Sequence, residues 1–133
     1  MISKLEEIEQ LAKEQVKNYY SDIPCEDYQI HFMNYGLNAV IGELETNKGL
    51  PHEVGIVFEV LAKTQELANT VCGTLRSTLL HYGYDGRKST AGNLAFPFSP
   101  SDIPFGPVYE FSVYHLMEVK DGYEMFPIEY LTL

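Results

Sequence analysis

The stretch GYDGRKSTAGNLAFPFSPSDIPFGP, Gly83 to Pro107, places twenty-five residues of turn chemistry between a helix pattern and a strand pattern. Its four glycines and four prolines rule out a long helix or a central strand across it, because proline lacks the backbone N–H and glycine is costly to order. Whatever this chain folds into must therefore route a long loop over its surface. Loops of that length in compact domains tend to carry a task. This one holds Arg87, one of only two arginines, with Lys88, Ser89, Thr90, Asn93, Ser99, Ser101 and Asp102 in close succession.

The flanking patterns give the expected fold. Leu5, Ile8, Leu11, Ala12, Val16 and Tyr19 recur at helical spacing, predicting an amphipathic helix from Ser3 to about Tyr20, with Ser3 and Glu6 as a capping box. Tyr28–Tyr35 and Leu37–Leu44 read as two strands of a hairpin turning at Gly36, and the apolar run VGIVFEVLA, Val54 to Ala62, as a central strand. Thr64 caps a second helix with the stripe Leu67, Val71, Leu75 and Leu79, which stops near Gly83. Beyond the loop, Val108–Val119 alternates with period two, and Asp121-Gly122 turns into a last strand, Tyr123–Leu133, pushed to an edge by Pro127. These elements predict an α+β two-layer sandwich, a mixed or antiparallel sheet with both helices on one face, of a ferredoxin-like kind.

With 133 residues the chain fits one domain, 1–133. A formal charge of −10 repels phosphate backbones and anionic bilayers, so neither nucleic acid nor membrane is an expected partner. MISKLEEIEQ has no continuous apolar region of signal-peptide or transmembrane type, and Cys25 and Cys72 suggest no disulfide framework. The expected compartment is the cytoplasm.

The loop's polar half offers a candidate ligand site. Arg87, Lys88, Ser89, Thr90 and Asn93, near Gly86 and Gly92, have the cations and glycine-freed N–H groups to hold a carboxylate or phosphate. The segment matches neither a P-loop nor a dinucleotide fingerprint, and the competing reading is a solvated or subunit-contacting loop. His115 and Asp102 are weak acid–base candidates; a lone histidine mid-strand is more often a core residue, and Glu118 falls on the opposite face. His81 suits a capping role at a helix C-terminus. His31 and His52 lack partners at metal-ligand spacing, so neither metal nor cofactor is expected. Acidic neighbours disfavour a Cys25 thiolate, Cys72 reads as a small apolar residue, and no G-x-S-x-G elbow accompanies the serines. Phe96, Phe98, Phe105, Tyr109 and Phe111, laced with prolines and poor in charge, have the composition to line an apolar pocket or, as the first expectation, to seal a subunit contact.

The strings GRKSTAGNLAFPFSPSD and VYEFSVYHLMEV carry a resemblance over Leu75 to Val119 to the C-terminal region of the acyclic terpene utilisation A (AtuA)-like proteins, which are considerably longer. That family is linked by name to the catabolism of branched terpenoid acids. The resemblance implies an accessory domain existing as a separate polypeptide, with a larger partner chain supplying the remainder. Two functions are expected from the residues and the resemblance together. One is an accessory or interaction domain, self-associating as a homo-oligomer or docking on a larger AtuA-like partner through the Gly83–Pro107 loop. The other is a binding or catalytic domain for an anionic, partly apolar small molecule such as a branched acyl thioester. Whether the chain is an enzyme stays open at this point.

Overall fold

The computed structural model describes residues 2–47, 49–87 and 94–131. Helix α1, Leu5–Tyr19, is followed by strand β1, Tyr28–Tyr35, strand β2, Gly55–Ala62, helix α2, Gln65–His81, and the short helix α3, Gly122–Met125. The strands form a two-stranded antiparallel sheet in register from Tyr28 opposite Ala62 to Tyr35 opposite Gly55. This is a small α+β fold of two layers. Ala12 and Val16 of α1 and Val71 and Leu75 of α2 are fully buried, and Tyr28, Ile30, Phe32, Phe58 and Val60 pack against them from one face of the sheet. Both helices therefore cover the same sheet face. Phe32 and Phe58 sit directly opposite each other with ring centroids 5.9 Å apart, a cross-strand aromatic pair that helps fix the register.

Local chemistry sets several boundaries. Thr64 Oγ1 accepts from Leu67 N–H at 3.2 Å, capping α2 as its position after a strand suggests. The capping box at Ser3 and Glu6 is not formed: Ile2–Lys4 is a turn of 3₁₀ helix, and Lys4 precedes α1 without a side-chain cap. Tyr19, expected on the apolar stripe, is 73% exposed. Its neighbour Tyr20 packs on the core instead and shares a 2.6 Å hydrogen bond with Thr74 of α2.

Three expected strands do not occur among the described residues. Leu37–Leu44 is a run of turns ending in the 3₁₀ helix Gly42–Leu44. The Asn34 carbonyl draws in the N–H groups of Leu37, Asn38 and Ala39, and Gly36 and Gly42 take positive φ, which an extended run cannot contain. Val108–Val119 has no ladder partner among the described residues and is exposed throughout. Its alternation supplies two faces but not the neighbouring strand that β structure requires. In Tyr123–Leu133, Asp121 accepts from Tyr123 N–H at 2.9 Å and starts α3, leaving no strand among its described residues. The sheet thus has two strands, where a ferredoxin-like unit has four.

Candidate functional site

The long loop is held against α2 at both ends, each time by an arginine. Tyr84 to Arg87 forms a turn closed by Arg87 N–H on the Tyr84 carbonyl at 3.0 Å. Gly86, third in the turn, has φ +83 while Asp85 does not share the positive region, the signature of a type II turn. That turn sends Arg87 back onto the helix it has just left. Its guanidinium donates from Nη1 to the Tyr82 carbonyl and from Nη2 to the Leu80 carbonyl, groups that the end of α2 leaves without intrahelical partners. A cation there also meets the negative end of the helix dipole. The capping role that His81 suggests in the sequence is thus filled by Arg87.

At the loop's far end, Asp102 Oδ2 lies 3.0 Å from Arg76 Nε of α2, off the N–H axis, so the contact is an ion pair rather than an aligned hydrogen bond. Ser101 Oγ donates to Asp102 Oδ1 at 3.2 Å. A Cβ built on Gly73 would meet Asp102 Oδ2 only at 4.0 Å, so the carboxylate sits over α2 in the space beside that glycine. Arg76 is the anchor that the sequence reading missed. The available signal was scarcity: Asp85 and Asp102 are the only carboxylates between Gly83 and Pro107, and Arg76 and Arg87 the only arginines.

Of the candidate ligand residues, Lys88, Ser89, Thr90 and Asn93 lie outside the described residues, and Arg87 is engaged with the end of α2. Asp102 and His115 are not joined by a hydrogen bond or ion pair among the described residues, and His115 is exposed. Burial pushes the Cys72 thiol pKa up, the Asp102 carboxylate adds to the shift, and Arg76 partly opposes it. Such a thiol is a poor nucleophile. Two surface depressions, one over the β1–β2 connection and one across Gln15, Asn69, Gly73 and Ser77, are lined by none of Arg87, Asp102 or His115. No cluster of metal-ligating side chains occurs among the described residues, and no described helix is long and apolar enough to cross a membrane.

The segment beyond Asp102 dominates the surface. Every described residue from Ile103 to Leu131 is exposed, including Phe111 at 95%, Leu116 at 91% and Tyr109 at 91%. The protomer exposes 11281 Å². A compact protein of 15.1 kDa exposes about 7,100 Å², so about 4,200 Å² of this surface is in excess of a closed monomer. Isolated exposed apolar residues are ordinary, whereas a continuous set of this extent is not.

Comparison of the chain with family models, with curated proteins and with solved structures gave no match.

Proposed function

We propose that this chain is a protein-interaction or accessory domain whose contact element is the arm from Ile103 to Leu131. The observation that carries the reading is the exposed apolar arm on a body whose own core is small. Among the described residues six hydrophobic ones are buried, and none of these lies beyond Leu75. At roughly 1.5–3 kcal/mol per fully buried large side chain, leaving the arm in water forgoes more hydrophobic stabilisation than that core supplies. Contact with another chain recovers it. The resemblance over Leu75 to Val119 adds a second form of the same role, docking on a larger chain related to the acyclic terpene utilisation A family.

The small-molecule reading draws no comparable support, since the terminal nitrogens of Arg87 are engaged with helix carbonyls. The interaction reading is tested by small-angle scattering and light scattering on the purified chain at micromolar concentration. It predicts either a mass above 15.1 kDa or an expanded monomer. A monodisperse monomer with a radius of gyration of about 14 Å, the value for a closed domain of this length, refutes it.

A further inference from the structure

We infer that Val108–Val119 becomes a strand in trans, pairing with the free edge of β2 in a second copy of this chain, whose own arm returns the exchange. The inference rests on the interaction-domain reading and names its partner and contact.

The donor and the acceptor are both present in one sequence. In the donor, Tyr109, Phe111, Val113, Met117 and Val119 share one face with His115, while the other face mixes Glu110, Ser112 and Glu118 with Tyr114 and Leu116. That is the pattern of a strand with one buried face, yet no described segment pairs with it. In the acceptor, Phe58 and Val60 of β2 face the helices, and by alternation Val57, Glu59 and Leu61 face away. A strand with apolar residues on both faces belongs inside a sheet, but among the described residues β2 pairs only with β1 and its outer edge is open. The outward face of β1 carries Gln29, His31, Met33 and Tyr35, and it is β2 on which α2 packs. An arm added beside β2 would extend the layer beneath α2 with its apolar face. This is β-augmentation with the strand drawn from an identical chain.

The geometry favours exchange over closure on the same protomer. Arg76 fixes the start of the arm at Asp102 on α2, and the intervening Ile103–Pro107, whose two prolines restrict the backbone, is exposed throughout and rests on no part of the body. The surplus surface supplies the area. Stable complexes bury about 800 Å² per partner and obligate dimers considerably more, and the excess of about 4,200 Å² per protomer falls in the second class.

The test combines light scattering with amide hydrogen exchange on the full chain. The expected result is a dimer of about twice 15.1 kDa. Exchange should be slowed about a hundredfold or more across 108–119, and also at the amides of Gly55–Ala62 that point away from β1, as for strands that open only cooperatively. Val113→Pro removes a ladder N–H and should return both the mass and the exchange of these two segments to those of an isolated protomer. Phe111→Glu is a second variant that leaves the backbone unaltered and should do the same; circular dichroism confirms that each retains its helices. A dimer in which 108–119 exchanges freely, or in which the outward β2 amides do, overturns strand exchange while leaving the interaction reading intact. So does a dimer that survives both substitutions. An expanded monomer overturns the exchange and leaves docking on a different chain, whereas a compact monomer overturns both readings.

Discussion

Replacing Arg87 by alanine tests whether this arginine serves the helix. The substitution removes the two charge-assisted hydrogen bonds at the Leu80 and Tyr82 carbonyls. A bond to a charged group contributes about 1.5–3 kcal/mol, but the freed carbonyls lie at a helix end where water can reach them, so the pair together should cost about 2 kcal/mol rather than the full sum. For a domain of this size that corresponds to a fall in Tm of about 8 °C. Arg87→Lys keeps the charge at the dipole's negative end and one donor, and should recover roughly half of the loss. The assay is thermal unfolding followed by far-UV circular dichroism, with all variants at one protein concentration because association shifts Tm. An Arg87→Ala protein whose Tm stays within about 1 °C of the parent would refute the capping argument. So would a lysine variant no better than alanine.

Thr64→Ala should destabilise the protein by about 1 kcal/mol in chemical denaturation, and Thr64→Ser should restore it, because a hydroxyl oxygen at that position satisfies the Leu67 N–H. The Glu9 carboxyl accepts a 2.7 Å hydrogen bond from Asn34 Nδ2; burial raises its pKa above 4.5, and the Asn34 bond and Lys13 only partly oppose the shift. A raised carboxyl pKa means the folded state binds the proton more tightly than the unfolded one, so this group's contribution to stability falls as pH rises from about 4.5 through the folded value. Glu9→Gln keeps an acceptor for Asn34 and should flatten that part of the profile, leaving the variant at least as stable as the parent at neutral pH; a variant less stable at pH 7 with an unchanged profile would contradict it.

What the sequence disclosed and what it withheld divide along a physical line. Helices α1 and α2 were legible because the spacing of Ile8, Ala12 and Val16, and of Val71 and Leu75, reports the face a helix buries whatever it is buried against. β2 was legible from VGIVFEVLA, and the cap at Thr64 from a hydroxyl at the junction of two elements. Val108–Val119 was not, although its alternation is the most regular in the chain, because period two describes one strand while a sheet is a property of two. Leu37–Leu44 failed for a different reason: the Asn34 carbonyl gathers three N–H groups into turns, a local competition invisible to hydropathy. At the candidate site, the helix contact of Arg87 was not legible because a cation in a glycine-rich loop reads equally as an anion receptor or as a cap. The type II turn at Gly86, which brings the guanidinium back to α2, decides how it is used.

The use of the two arginines bears directly on the proposed docking of the arm. In a chain with nine basic and nineteen acidic residues, cations that meet helix carbonyls and a loop carboxylate are a scarce means of fixing geometry. Arg87 and Arg76 hold the loop at Tyr82 and at Asp102, so the arm leaves α2 from a defined point rather than from the end of a free tether. A segment whose origin is fixed loses less freedom when it docks, and pairs of arms reciprocally exchanged act at high effective concentration once the first is seated. The opposing term is charge, since two copies at −10 each repel one another. That repulsion acts at long range through water and is screened within about 8 Å at physiological ionic strength, whereas burial of the apolar arm is short-ranged and unscreened. The balance therefore favours association once the chains are in contact and slows the approach, so added salt should speed assembly more than it alters the mass finally reached.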